Sequence, residues 1–246
     1  MTRFFVTQAQ IEDDIVTLGE DDAHHLRVVT HHETGNRIAI LDGNGAEWEA
    51  TLLTLGKKAA TAKLGRRFEP ATEAGVRVTI AQALPKVGDK MEQVLQRGTE
   101  IGAHAFRAFS SAKSLSHLMG ERQEKRLARW RTIVKTAAEQ AHRAILPDVA
   151  AEDTFADIIR SAGSYDLALL AYEHEREHSL KSTLRSLPAV PTTILLIIGP
   201  ESGITDDEAA AAIKAGIKSI SLGPRILRTE TAAMAATAQI LFEWED

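Results

Sequence analysis

The chain has 246 residues, a formal net charge of −5, 44% hydrophobic residues and no cysteine. Its length allows one large domain or two modest ones, and the lack of cysteine excludes disulfides and thiolate metal sites. The longest apolar run, TTILLIIGP, is too short for a membrane-spanning helix, and the first residues, MTRFFVTQAQIEDD, turn acidic too early for a signal peptide. We therefore expect a cytoplasmic protein without a membrane partner.

Basic residues are concentrated in two segments of this acidic chain. Segment 57–67, KKAATAKLGRR, has five basic residues and no acidic one. Segment 113–143 is also mainly basic, and it contains Trp130, which we interpret as a packing residue because its helical face carries apolar neighbours. Such local charge favours a polyanionic partner. Ordinary solvated helix and strand faces explain the same pattern, so charge alone leaves both interpretations open.

The first part of the chain has the pattern of a small β-domain. Residues 36–68 alternate apolar and polar side chains, and DGNG at 42–45 predicts a hairpin because glycine supplies the positive φ that such turns need. Short strands at this spacing are typical of a β-barrel or sandwich. Segment 69–75, EPATEAG, is the expected linker.

After Gly75 the pattern changes to strands that alternate with helices. The predicted strands are mostly apolar, and the helices include a long one over 120–145, ended by Pro147, and a final one over 230–242. Alternation of this kind predicts an α/β domain with a parallel sheet covered on both faces.

The segment IIGPESGITDDE, at 197–208, follows an apolar strand and precedes a helix. Open α/β sheets bind ligands at such turns. The segment lacks the spacing of a phosphate-binding loop, and a capping box from Thr205 to Glu208 places acidic residues in the first helical turn, where they repel phosphate. A cofactor bound here is expected to be cationic or free of phosphate. The alternative is a capped turn without a ligand.

The segment HEREH, at 174–178, matches the HExxH zinc motif. It directly follows an apolar strand, has no apolar helical face, and lacks an evident third ligand. We interpret it as a solvated loop and expect no metal, and we keep a zinc peptidase using His174 and His178 only as an alternative.

Two segments, LLIIGPESGITDDE and ISLGPRILRTETAAMAA, resemble the closing motifs of the SPOUT superfamily of methyltransferases. With RFFV, HHLRVV, LDGNG, LPKVGDKMEQVLQRGTEIGA and EQAHR in the same order, the chain resembles the RsmE family. The resemblance implies a PUA-like or OB-like β-barrel over residues 1–72 and, over 73–246, an α/β methyltransferase domain with a C-terminal trefoil knot. The chain departs from the family pattern at Thr30, at Ala112, and at Ser202, where a glycine is usual.

The resemblance also implies the reaction, which is methylation of N3 of a uridine in 16S ribosomal RNA of the small subunit with S-adenosylmethionine (SAM). Loss of the N3 proton places negative charge on the uracil oxygens, so an arginine aimed at them favours the anion. Arg228 is the candidate for that role and Glu230 for the proton acceptor, although Glu230 also suits a helix start or an ion pair. The expected cofactor-binding residues are Ala171, Gly199, Pro200, Glu201, Leu222, Gly223, Ile226 and Leu227.

The same resemblance implies that the protein is a homodimer that holds RNA with basic side chains, mainly from the barrel. The expected RNA-binding residues are Arg3, Arg27, Lys57, Lys58, Arg66, Arg67 and Arg143. A SPOUT ribose 2′-O-methyltransferase and a non-catalytic RNA-binding ribosome-assembly factor are the alternative functions.

Overall fold

The computed structural model describes residues 1–86, 88–114, 120–151 and 154–245. The chain forms two compact units. The first comprises Met1–Glu73 and Ala138–Leu146, and the second comprises Ala74–Ala137 and Pro147–Asp246. In the described part of the chain, no helix is long and apolar enough to cross a membrane.

The first unit is built on a mixed sheet of six strands in the order β1-β4-β5-β6-β3-β2. Strands β1 and β4 are parallel, and the other neighbours are antiparallel. The elements are β1 (Arg3–Phe5), β2 (Ile11–Glu12), β3 (Ile15–Leu18), α1 (Glu20–His24), β4 (Arg37–Leu41), β5 (Glu47–Leu55) and β6 (Ala60–Phe68). Alternate strand residues, such as Ile38 and Ile40, fill one core, as the period of two in a strand requires.

The hairpin predicted at DGNG is confirmed. It joins β4 to β5, with Leu41 opposite Glu47. Gly43 and Gly45 adopt φ values of 76° and 109°, and the Asp42 carboxylate accepts hydrogen bonds from the amides of Asn44 and Ala46. The local sequence therefore favours this turn, and segment 144–146 also contacts it, since the Gly45 amide donates to the Ala144 carbonyl and the Leu146 amide donates to the Gly43 carbonyl.

The second unit contains a parallel sheet in the order β12-β10-β11-β7-β8-β9. The predicted α/β class with a parallel sheet is thus confirmed. Its elements are β7 (Arg77–Ala83), α2 (Gly88–Ile101), β8 (Ala105–Phe109), α3 (Gly120–Gln140), β9 (Asp148–Ala151), α4 (Phe155–Ser161), β10 (Leu167–Ala171), α5 (Leu180–Arg185), β11 (Thr193–Ile198), α6 (Asp206–Lys214), β12 (Lys218–Ile220) and α7 (Thr229–Trp244).

The central strands β10 and β11 are almost wholly buried, which explains their continuous apolar sequence. All strands of this sheet run in the same direction, so the turns after β10, β11 and β12 meet at one edge. Helix α6 begins with the predicted capping box, since the Thr205 hydroxyl accepts from the Glu208 amide and the Glu208 carboxylate accepts from the Thr205 amide.

Helix α3 ends at Gln140, so its predicted extension to Ile145 is wrong. His142 adopts φ 58°, and the Glu73 carboxylate accepts hydrogen bonds from the amides of Ala144 and Ile145. These backbone groups are therefore satisfied by a side chain distant in sequence, which ends the helix before Pro147. Trp130 is 3% exposed, which confirms its packing role.

Candidate functional site

A cavity of about 660 Å³ lies at the edge where β10, β11 and β12 end. Its walls are the turns that follow these three strands, together with the start of α7 and Lys90 of α2. All the residues expected to bind the cofactor line this cavity: Ala171, Gly199, Pro200, Glu201, Leu222, Gly223, Ile226 and Leu227. Arg228 lines it as well, whereas Glu230 does not, because its side chain is buried in the first turn of α7.

Two glycines shape the turns for different reasons. A Cβ at Gly199 would lie 2.9 Å from Cγ1 of Ile204, a distance that real Cβ atoms do not tolerate, so the close packing of Ile204 requires glycine. Gly223 adopts φ 110°, a conformation that side chains rarely allow. Both turns therefore present backbone to the cavity.

A buried hydrogen-bond network joins the turn after β11 to the start of α7. The Gln82 amide, on β7, donates from Nε2 to Thr229 Oγ1 at 2.8 Å and approaches the Gly199 carbonyl at 3.4 Å. Thr229 Oγ1 in turn donates to the Gly199 carbonyl at 2.6 Å. Gln82 is fully buried and Thr229 is 5% exposed, so this network is shielded from water and fixes the position of the Gly199 carbonyl.

A cluster of charges lies beside this network. Lys90 Nζ donates to Glu201 Oε1 at 2.9 Å and lies 4.0 Å from Glu230 Oε2. The hydrogen bond to Glu201 raises the pKa of Lys90. Burial raises the pKa of Glu201, but the bonds from Lys90 and from the Lys86 amide outweigh burial and hold it below its ordinary value. Both groups are therefore charged near neutral pH.

The cavity wall also includes the two arginines of the turn after β12. Arg225 and Arg228 are exposed, and Arg228 is the residue immediately before the first turn of α7. Ile226, between them, is 81% exposed. This turn therefore exposes two cations and an apolar side chain to solvent.

Several residues that line the cavity were not predicted from the sequence. Lys90, Tyr172, Glu173 and Arg176 all contribute to the walls. The Tyr172 hydroxyl donates to Asp206 at 2.6 Å, and this bond raises the pKa of Tyr172 to about 12. Tyr172 and Glu173 directly follow an apolar strand, a signal that could have identified them. Lys90 has a weaker signal, because it lies in the first turn of the helix that follows β7 rather than directly after a strand.

The segment HEREH forms turns rather than a helix, which confirms its interpretation as a loop. The Glu175 carboxylate accepts from the Ser219 hydroxyl and from the amides of Glu177 and His178, and these bonds lower the pKa of Glu175 to about 2. Among the residues that the structure describes, no group of His, Asp and Glu side chains has the geometry of a metal site.

Two departures from the family pattern have a local explanation. Ser202 does not adopt a positive φ; the following residue, Gly203, does, at 74°. The Ser202 hydroxyl instead donates to the carbonyl of Lys113. The Ala112 amide donates to the capping carboxylate of Glu208 at 2.8 Å. Both residues thus tie the turn after β11 to the segment after β8.

The residues expected to bind RNA divide into two groups. Lys57, Lys58, Arg66 and Arg67 are exposed, and Arg67 also lies over the ring of Trp48. Arg27 is partly buried, and its Nε has no hydrogen-bond partner among the described residues.

Arg3 and Arg143 form the second group. Arg3 pairs with Glu47, which is 2% exposed, and Arg143 pairs with Glu73 and is itself 4% exposed. Breaking such buried pairs is costly. Both guanidinium groups are therefore occupied within the first unit.

The chain is similar in sequence to known proteins. Residues 72–241 match the RNA methyltransferase domain family. Ribosomal RNA small subunit methyltransferase E of Bacillus subtilis is 32% identical over 252 residues, covering 100% of this chain and 98% of the relative. The Synechocystis protein of the same name is 38% identical over 239 residues, covering 97% of this chain and 76% of the relative.

A solved structure extends the likeness to the fold. Ribosomal RNA small subunit methyltransferase E from Neisseria gonorrhoeae, bound to SAM, superimposes with a TM-score of 0.86 at 28% identity, covering 99% of this chain and 98% of that one. The chain therefore belongs to the ribosomal RNA small subunit methyltransferase E family.

Proposed function

We propose that this protein transfers a methyl group from SAM to N3 of a uridine in 16S ribosomal RNA. Its family membership makes it a SAM-dependent methyltransferase of small-subunit ribosomal RNA, and the choice of uridine N3 is our proposal. The observation that best supports this proposal is the composition of the cavity wall. Arg228 lines the same cavity as the backbone turns that suit a cofactor without phosphate.

The residues present fit SAM. A volume of about 660 Å³ lies within the range of small-molecule sites. The acidic first turn of α6 disfavours phosphate, and Glu173 adds to the cavity wall a carboxylate that suits a positively charged ligand. When bound, SAM supplies an activated methyl group on a sulfonium. We propose that the turns at 199–201 and 222–227 hold it, together with Ala171.

The chain's own part in the reaction is to position the base and to stabilise charge. We propose that the Arg228 guanidinium donates to a uracil oxygen, where it favours the ring anion and cannot lose its own proton. The N3 proton then leaves to solvent at the mouth of the cavity, where Ile226 is exposed. Glu230, the alternative proton acceptor, does not line the cavity. We propose instead that it helps to position Lys90.

The remaining functional assignments concern RNA and assembly. We propose that the first unit is a PUA-like barrel that holds RNA through Lys57, Lys58, Arg66, Arg67 and Arg27, because these cations are not enclosed in buried pairs. We further propose a homodimer in the cytoplasm and a trefoil knot formed by the C-terminal part. Helix α7 supports a dimer because its exposed face carries Ala238 and Phe242, the latter 83% exposed.

The experiment is methylation of isolated small subunits and of free 16S ribosomal RNA with SAM carrying a labelled methyl group. Nucleoside mass spectrometry should find N3-methyluridine in one of these substrates. Label on a ribose hydroxyl would replace the proposal with 2′-O-methylation. RNA binding without any label would instead support an assembly factor.

Arg228→Ala tests the assignment of the site. We expect kcat to fall by about 100- to 1,000-fold, as on loss of one electrostatic stabiliser, with little change in the Kd for SAM. Arg160→Ala is the matched control, because Arg160 is an exposed arginine of α4 that pairs within its own helix. Unchanged turnover of Arg228→Ala would remove Arg228 from the methylation step.

A further inference from the structure

Lys90 lies in the cavity wall close to two carboxylates. It lies in the first turn of α2, and its Nζ is 2.9 Å from Glu201 Oε1 and 4.0 Å from Glu230 Oε2. An ammonium group has three donors. The contact with Glu201 uses one of them and Glu230 is beyond hydrogen-bond distance, so donors remain for a ligand in the cavity that Lys90 lines.

Glu230 helps to hold the Lys90 ammonium group in place. Glu230 is 6% exposed, and its Oε2 atom has no hydrogen-bond partner among the described residues. A buried carboxylate without hydrogen bonds needs a nearby positive charge. In the described part of the chain, Lys90 is the only cation within 4.0 Å of it. The two carboxylates therefore hold Lys90 between them.

Lys90 and Arg228 line the same cavity, and the hydrogen bond to Glu201 raises the pKa of Lys90 more than the charge of Arg228 lowers it. The anion of uracil formed at N3 carries its charge on two carbonyl oxygens, one on each side of N3. Two separate cations suit this distribution better than one.

We propose that Lys90 is a second cation of the active site that donates to one uracil oxygen while Arg228 donates to the other, and that Glu201 and Glu230 are positioning residues that hold Lys90. In this step the N3–H bond breaks, its electron pair stays on the ring, and the proton goes to water. Lys90 stays protonated throughout. This inference rests on the proposed function.

Lys90→Met tests the inference in the full-length enzyme with small subunits or 16S ribosomal RNA as substrate. We expect kcat to fall about 100-fold while the Kd for SAM changes less than about twofold. The kcat of Lys90→Arg should be about tenfold higher than that of Lys90→Met, because arginine keeps the positive charge but places it in a different geometry. Lys214→Met, which alters an exposed lysine at the end of α6, is the matched control and should leave kcat unchanged.

Two further readouts separate anion stabilisation from a structural role. The rate of Lys90→Met should keep increasing with pH where that of the wild type has levelled off. RNA that contains 5-fluorouridine, whose N3 proton is more acidic, should restore much of the lost rate. A purely structural defect would change neither the pH profile nor the dependence on the base.

The role of Glu230 is tested by a double variant. If Glu230 acts through Lys90, Lys90→Met with Glu230→Gln should be no slower than Lys90→Met alone. A much slower double variant would make Glu230 an independent proton acceptor and overturn its positioning role.

The remaining outcomes are equally decisive. A wild type that forms N3-methyluridine and a Lys90→Met variant with the same kcat would overturn the role of Lys90 alone. A raised Kd for SAM with an unchanged kcat would assign Lys90 to the cofactor. Methyl transfer by the wild type to a ribose hydroxyl would overturn the proposed function and this inference together.

Discussion

Thr229→Val should loosen the turn after β11 without changing its shape much, because valine and threonine have nearly the same volume. The substitution removes the Thr229 hydroxyl that donates to the Gly199 carbonyl, and with it one of the three acceptors of the Gln82 amide, which keeps the Ala83 and Gly199 carbonyls. Each hydrogen bond contributes about 1 kcal/mol net, and a buried group left unsatisfied costs about 1–3 kcal/mol. Because the Gly199 carbonyl keeps the longer contact with Gln82 at 3.4 Å, we expect a loss of about 2 kcal/mol.

The assay is equilibrium unfolding in urea, followed by far-UV circular dichroism, for Thr229→Val and for Thr229→Ser, which keeps the hydroxyl. A double-variant cycle with Gln82→Met isolates the contact between the two side chains, for which we expect a coupling energy of about 0.5–3 kcal/mol. If re-forming the turn costs the variant about 1 kcal/mol, the Kd for SAM should increase about fivefold. Equal stability of the valine and serine variants, or strictly additive effects with Gln82→Met, would refute the network.

Two further predictions concern proton equilibria. Burial raises the pKa of Glu73, but its arginine partner and the bonded amides outweigh burial and lower it below the ordinary 4.5. The contribution of the Glu73 carboxylate to stability is therefore complete above pH 4.5 and is lost as the pH falls through its lower pKa in the folded state. Thermal melts between pH 6 and 3 should show this loss of stability in the wild type. Glu73→Gln should already be less stable at pH 6 and should not show the same further loss. Tyr172, whose pKa of about 12 reflects its bond to Asp206, should ionise only in strong base, and Tyr172→Phe should remove that transition from the ultraviolet titration.

Much of the second unit could be predicted from local sequence. The apolar strands that alternate with helices predict a parallel sheet, and the segment from Gly199 to Glu208 predicts a strand, a turn and a capped helix, as the structure has it. Placing the turns of three such strands at one edge needs only the rule that parallel strands end on the same side. The cavity was therefore predictable in outline.

The parts that could not be predicted depend on contacts between distant residues. Lys90 reaches Glu201 across 111 positions and Gln82 reaches Thr229 across 147, and neither pair has a local pattern. The same is true of the buried partner of Arg143, since Glu73 lies 70 positions away. Basic composition alone could not distinguish an arginine that faces RNA from one that holds a loop.

The net charge of −5 conceals two opposite local requirements. A cationic cofactor is favoured by carboxylates at the cavity, whereas RNA is favoured by exposed cations such as those of segment 57–67. At physiological ionic strength, exposed charges act over about 8 Å, so acidic residues further away scarcely weaken these cations. At the cavity, Lys90 pairs with Glu201 and lies 4.0 Å from Glu230, and among the described residues no carboxylate lies within 4 Å of Arg228. The carboxylates therefore do not neutralise Arg228, the cation that we propose to face the base.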